Sequence, residues 1–375
     1  MILIKNIHIY APEDQGRKDI LICNDKIIAI GENLEYNFEY MQILDGANLT
    51  CVPGLIDQHV HVTGGGGESS FSSRVPELNL SHVIECGVTT VLGLLGTDSR
   101  TRSVENLVAK TKGLNQEGIT AYCLTGAYEY PAPNLTGSVG NDIAYINEVV
   151  GVKLAISDHR CSNPTVEELI RLASEVRISG LLGGKAGIVH MHTGAGKIGL
   201  KNVIAAIENS DIPIFHFRPT HIRSNTPYAY EFAQMGGRLD FTSGNTPEAT
   251  ADLIVEYLKK VPAEQITFSS DSNGSQPVWN DKNELIGITA AKMTSLYETT
   301  KVLVQKHKLP LEQAICFTTK NVADGLNLAH KGRIAVGCDA DLLFIDDKLE
   351  IHSVIARGKI MMQAGKVLVK GTFEE

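Results

Sequence analysis

Pro53-Gly54-Leu55-Ile56-Asp57-Gln58-His59-Val60-His61 is the stretch on which the reading of this chain turns. Its apolar run has the make-up of a buried strand, and side chains two apart on a strand point to the same side. His59 and His61 therefore aim two imidazoles at one point from one strand end, and neutral imidazole nitrogens are good ligands for zinc and similar ions. Alone the pair is a weak signal, because two packed core histidines would look the same. Its weight comes from what the rest of the chain delivers to the same place.

Outward from that stretch, eight strand-like runs follow one another: Cys51 to Val62, Val88 to Leu95, Ile119 to Leu124, Val152 to Ile156, Ile188 to His192, Ile212 to Phe217, Leu239 to Ser243 and Ile266 to Ser270. Helical periodicity fills most of the gaps, as in Thr165 to Val176 behind Asn163-Pro164, and Thr246-Pro247 to Lys260. Repeated βα units with apolar strands predict a parallel sheet covered by helices, of class α/β. Eight of them fit a TIM (β/α)8 barrel, with an open doubly wound sheet as the competitor. Residues 1–50 and 333–375 read instead as short strands separated by turns, and neither end has enough strands to bury a core alone. Both ends are therefore expected to form one small β-sandwich domain beside a barrel catalytic domain over 51–332.

Composition narrows the partners. The 375 residues are 43% hydrophobic and 21% charged, and the formal net charge of −9 argues against a nucleic-acid surface. Small molecules are the expected partners. The seven cysteines include no C-x-x-C pair, so they read as reduced thiols rather than a zinc knuckle or a disulfide framework. Met1 to Tyr10 carries Lys5 in a short alternating run, unlike a signal peptide, and no window reaches about 18 uninterrupted apolar residues, the usual minimum for a membrane span. A cytoplasmic location away from membranes is expected.

Active sites of such barrels sit at the C-terminal strand ends, so each strand's last residues matter most. Strand four gives Lys153, the only charge in Gly151 to Ile156. A buried lysine is costly unless neutralised or paired. It is either a salt-bridged barrel lysine or an amine that has taken up carbon dioxide as a carbamate, an anionic ligand able to bridge two metals. Lys185, before strand five at the opposite end, is the poorer candidate. Strand five offers His190 and His192, of which His192 is nearer the end, and strand six offers His221, with His216 deeper and structural. Strand eight closes with Asp271, which can serve as ligand and proton carrier together. His8, His82, His159, His307, His330 and His352 fall on surfaces or loops and receive no role.

His59, His61, Lys153, His192, His221 and Asp271, in this order, resemble the ligand set of the amidohydrolase superfamily with a binuclear centre. Gly64-Gly65-Gly66-Gly67-Glu68, Gly93 to Asp98, Thr125-Gly126-Ala127-Tyr128, Ala155 to Arg160 and Ser270 to Pro277 are similar, more narrowly, to the isoaspartyl dipeptidase family. That resemblance implies two divalent metal ions, expected to be zinc, an N6-carboxylated Lys153, and a β-aspartyl dipeptide substrate. It further implies a metal-bridging hydroxide as nucleophile, Asp271 shuttling its proton to the leaving amine, and the Tyr128 hydroxyl supporting the oxyanion. A homo-oligomer is also expected, since oligomers are common among such barrels.

Such a substrate carries one ammonium and two carboxylates around the scissile amide. By the resemblance, Gly66, Gly67 and Glu68 form the loop that grips the ammonium, Arg160 and Arg223 take the carboxylates, and Ser275 and Thr97 add hydrogen bonds. One departure stands out. The family pattern has its arginine three residues after the strand-six histidine, where this chain has Ser224, with Arg223 one residue earlier. Either the loop re-aims Arg223 or the preference for ligand differs. The rival enzyme reading is a cyclic-amide hydrolase of the dihydropyrimidinase or hydantoinase kind, disfavoured by Glu68 because a neutral ring offers it no ammonium. A metal-free, non-catalytic binding protein is the rival of another class, disfavoured because all six ligand positions are filled.

Overall fold

Eight strands form the barrel: β1 (Leu55–Val60), β2 (Val88–Gly93), β3 (Thr120–Gly126), β4 (Val149–Ile156), β5 (Ile188–Thr193), β6 (Phe217–Thr220), β7 (Leu239–Thr242) and β8 (Ile266–Ser269). The computed structural model describes residues 1–280, 282 and 285–375. β1 to β6 pair in chain order as one parallel sheet and β7 pairs with β8. The Ile222 N–H donates to the Asp240 carbonyl at 3.1 Å, joining β6 to β7, and the His61 N–H donates to the Ser272 carbonyl at 2.9 Å, returning β8 to β1. All eight C-terminal ends thus open on one mouth.

Two buried carboxylates inside the barrel are paired rather than left bare. Asp57 accepts from the Ser270 N–H at 3.1 Å and from the Ser270 hydroxyl, tying β1 to the end of β8. Asp240 accepts from Gln58, Thr220, Thr267 and Ser269, so this buried carboxylate is fully satisfied. The covering helices follow the local rules. The helix Val166–Gly183 begins at a capping box between Thr165 and Glu168, buries Leu169, Leu172, Ala173 and Val176 at helical spacing, and ends at Gly184 with φ 65°.

Two expected strands differ in extent. The run 51–62 is two strands, Thr50–Pro53 and β1, and the first of these pairs outside the barrel with Leu342–Ile345. The run 212–217 is largely a 3₁₀ turn, Ile214–His216, because Pro213 fixes a turn that the His216 N–H closes by bonding to its carbonyl at 3.1 Å. β6 begins only at Phe217, which leaves His221 directly after it.

Both chain ends build one nine-stranded sheet, ordered Lys366–Val367, Lys359–Gln363, Ile351–Ala356, Leu342–Ile345, Thr50–Pro53, Ile2–Tyr10, Asp14–Cys23, Lys26–Gly31, with Gln42–Asp45 also on Ile2–Tyr10. Strand alternation gives it two apolar faces. Leu342, Phe344 and Ile355 join Ile2, Ile4, Ile7 and Ile9 in a core of their own, while Leu343, Ile345, Val354 and Ala356 join the barrel's core. Among the described residues no helix is long and apolar enough to cross a membrane. After β8, an antiparallel hairpin of Ser275–Trp279 and Leu285–Ala290 brings Ser275, Gln276 and Ile288 to the mouth.

Candidate active site

The first strand end delivers its two imidazoles as the alternation predicts, and the other strand ends converge on them. His59 Nε2 lies 3.4 Å from Asp271 Oδ1 and His61 Nε2 lies 3.1 Å from the same oxygen. The His221 ring stands 4.7 Å from that of His59 and 4.5 Å from that of His192. Lys153 Nζ is 3.3 Å from His59 Nε2. Two of these residues adopt left-handed backbone, Asp271 with φ 57° and His221 with φ 61°, conformations that non-glycine residues adopt at a cost and that cluster at working sites.

Most of the cluster is buried, which disfavours the charged forms of its bases. Burial, followed by neighbouring positive charge, holds His59, His190 and His221 well below the ordinary imidazole range, and His192 is lowered to about 4. Burial brings Lys153 down to about 7 against the opposing pull of Asp271 and Asp240. Imidazoles held below their ordinary range, an amine whose charged form burial disfavours and a carboxylate are a donor set suited to a divalent cation. One ligand atom each from His59, His221 and Asp271 already lies within 4.8 Å of the others, and the buried His61 Nδ1 has no hydrogen-bond partner. These residues fit a metal centre. His190 stands behind His59, its Nε2 2.9 Å from His59 Nδ1, and the His221 Nδ1 is 2.6 Å from the Thr242 hydroxyl. His216 bonds to the Gly187 carbonyl and to Arg177, and Lys185 caps the carbonyls of Ile143 and Ile146, both away from the cluster.

Asp158 is the residue that sequence reasoning passed over. Its carboxylate lies 2.9 Å from His192 Nε2 and accepts from Arg160 Nε and Nη2, each at 2.9 Å. Burial works to raise its pKa, but the bonds from His192 and Arg160 outweigh that and hold it far below the carboxylate range. The Asp158 contact raises the Arg160 pKa. The Tyr128 hydroxyl is 2.7 Å from His192 Nδ1, and burial pushes its pKa up, so it stays a donor. Only an aspartate two residues past the strand end hinted at this, and nothing in the pattern separated it from a loop charge.

Beside the cluster opens a cleft of about 960 Å³ whose lining includes Glu68, Arg160, His192, His221, Arg223, Ser224, Asp271 and Ser275. Glu68 accepts from the Ser275 hydroxyl at 3.0 Å and from the Thr97 hydroxyl at 3.2 Å, and Arg160 Nη1 is 3.7 Å away. Gly66 and Gly67 serve the loop's path: Gly66 has φ 77°, a Cβ on it would meet the Ser73 carbonyl oxygen at 2.4 Å, and the Gly67 N–H is committed to that same carbonyl. Arg102, which the sequence reading did not single out, clasps this loop by donating to the carbonyls of Thr63 and Val75 while pairing with Asp98. Arg223 is exposed on the cleft wall next to Ser224.

Comparison with known proteins adds to this geometry. A family model described as the amidohydrolase family matches residues 248–361. The structure of a β-aspartyl dipeptidase from Fervidobacterium islandicum AW-1, in complex with a β-Asp-Leu dipeptide, is 42% identical, covers 98% of each chain and superposes with a TM-score of 0.91. A D-hydantoinase structure, 17% identical, covers 100% of this chain and 98% of its own with a TM-score of 0.68, a likeness of fold alone. A dihydroorotase of Elusimicrobium minutum (strain Pei191) is 26% identical over 211 residues, 55% of this chain and 48% of that protein. The chain spans about half the length of the curated relatives it matches.

Proposed function

This chain belongs to the β-aspartyl dipeptidases of the amidohydrolase family, and from that premise we propose that it hydrolyses the side-chain amide bond of β-aspartyl dipeptides. The observation that carries the proposal is Glu68. An anion beside the imidazole cluster, 3.7 Å from the Arg160 guanidinium, matches a substrate that presents an ammonium close to carboxylates.

Two divalent ions, zinc by the character of the donors, are the cofactors of this reading, held by His59, His61, Lys153 as its carbamate, His192, His221 and Asp271. When bound they supply Lewis acidity at the scissile amide and an acidified water as nucleophile. The chain's own residues do the rest. Glu68 holds the α-ammonium with Ser275 and Thr97 fixing its oxygens. Arg160 and Arg223 take the two carboxylates, Arg223 from the exposed wall where Ser224 stands in the family position. Asp271 accepts the proton of the attacking water on its carboxylate and hands it to the leaving amine. Tyr128, kept protonated by burial, donates to the oxygen on which negative charge develops. We assign this chemistry to a barrel unit over 51–332, with the two chain ends as a supporting domain.

The dihydroorotase relatives favour a second reading, opening of a cyclic amide. Glu68 argues against it, since such a cyclic amide, neutral or carrying a carboxylate, brings no ammonium to that carboxylate. One assay separates the two: β-Asp-Leu, α-Asp-Leu, dihydroorotate and dihydrouracil, each with and without chelator. Cleavage of β-Asp-Leu alone, abolished by the chelator, is the expected result, and turnover of either cyclic amide without β-Asp-Leu cleavage overturns the proposal.

A further inference from the structure

We infer that Asp158 is a positioning residue that sets two working groups with one carboxylate: the metal-facing imidazole of His192 and the substrate-facing guanidinium of Arg160. This rests on the function proposed above. A carboxylate only accepts, so the 2.9 Å contact requires the proton of neutral His192 on Nε2. Nδ1 is thereby left with its lone pair, which here takes the Tyr128 hydroxyl and is the pair available to a metal. The tautomer is set from behind.

The same carboxylate occupies the Nε and Nη2 side of Arg160. Only the end bearing Nη1 remains for a ligand in the cleft. Competition matters here, because Nη1 is already 3.7 Å from Glu68 Oε1. Without Asp158, Arg160 is free to close on Glu68, and the anionic and cationic halves of the substrate site neutralise each other. The bidentate pair at 2.9 Å wins over the looser contact and keeps Glu68 open to an ammonium.

The surroundings are built for this placement. Ser157 is left-handed with φ 52° and its carbonyl accepts the Gly196 N–H at 2.7 Å. A Cβ on Gly194 would lie 2.5 Å from the Asp158 Cβ, so only glycine lets the loop after β5 pass at this distance. The Asp158 side chain is 6% exposed, and its other ionisable neighbour, His159 at 3.5 Å, is 86% exposed. Its remaining hydrogen bond among the described residues, from the Arg160 backbone N–H at 2.8 Å, holds the carboxylate beside the guanidinium it serves.

The test uses the full chain and Asp158→Asn, which keeps the shape and removes the charge. Metal-free protein is titrated with Co²⁺ by absorption spectroscopy, and β-Asp-Leu hydrolysis is measured separately for KM and kcat. Co²⁺ affinity is expected to fall about 10- to 100-fold, as for other residues that orient metal ligands, and KM to rise more than kcat falls. Unchanged Co²⁺ affinity and KM overturn the inference, and loss at one end with the other constant unchanged overturns the shared role. If the parent does not cleave β-Asp-Leu, the functional proposal fails, yet the Co²⁺ titration still decides the link to His192. Should Asp158→Asn not accumulate folded, Asp158→Glu carries the same two readouts, since a carboxylate displaced by one methylene cannot hold both partners, and retention of both constants overturns the inference.

Discussion

Lys153 Nζ sits 3.3 Å from His59 Nε2, fully buried, and among the described residues no carboxylate forms an ion pair with it. A lysine placed this way is an amine whose charged form burial disfavours, which suits the carbamate proposed above. Carbamate formation needs the neutral amine, and burial has brought the pKa to about 7. Uptake of carbon dioxide by metal-free protein should therefore strengthen as pH rises through about 7 and fade below it. Zinc reconstitution with and without bicarbonate across that range measures this, and Lys153→Ala should lose at least about 100-fold in zinc affinity. Equal reconstitution with and without bicarbonate at pH 8 counts against the carbamate.

Asp271 is shared by His59 and His61 at 3.4 and 3.1 Å and held by a left-handed backbone, so its carboxylate is fixed beside the imidazoles, where the proposed mechanism has it carry a proton. Asp271→Asn keeps the shape but cannot carry the proton. A drop in kcat of about 10²- to 10⁴-fold is expected, with the dissociation constant for β-Asp-Leu little changed. Calorimetry and turnover on the same preparation check it, and normal kcat refutes the assignment.

Glu68 has its oxygens held by Ser275 and Thr97, so Glu68→Gln preserves much of that geometry while removing the charge. Losing a charged hydrogen bond to the substrate ammonium costs about 1.5–3 kcal/mol, roughly a 10- to 100-fold rise in KM. Acetylating the substrate amine should impose a similar loss on the parent and little further loss on the variant. A variant that still discriminates strongly between free and acetylated amine places the ammonium elsewhere.

Much of the architecture was legible because it rests on periodicity. Apolar runs followed by turn residues located the barrel strands, and strand alternation alone put His59 and His61 on one side. What the pattern could not carry was conformation and partnership. The left-handed φ of His221 and Asp271 has no sequence signature of the kind glycine gives. Strand six was misplaced because Ile212 to Phe217 is apolar enough to read as a strand, whereas Pro213 turns it into a 3₁₀ segment. Asp158 was missed for a related reason. Its meaning lies in two contacts made across space, to His192 and Arg160, and only the first of these partners is distant in the chain.

The junction between the chain-end sheet and the barrel offers a stability test. Lys331, 5% exposed, donates to Asp341 at 2.5 Å and to Thr120 of β3 at 2.6 Å, and pairs with Asp339 at 2.9 Å. Burial pulls the Lys331 pKa down, but Asp341 and Asp339 outweigh it and the net shift is upward. Burial pushes Asp339 up, and Lys331 with Lys26 brings it below its ordinary value. The signs then fix the pH window. A raised lysine contributes fully below its unfolded pKa of about 10.4 and loses that contribution as pH rises through its folded value; a lowered aspartate contributes fully above about 3.9 and loses it as pH falls through its folded value. Stability from this triad should be flat between those limits and decline outside them. Lys331→Met leaves Asp341 without its buried cation while Asp339 keeps Lys26, a loss toward the lower end of about 3–5 kcal/mol, and it should remove the alkaline decline specific to Lys331. Thermal melting from pH 3 to 11 on both proteins checks the argument, and a variant that melts with the parent at neutral pH shows that the junction is held by apolar packing instead.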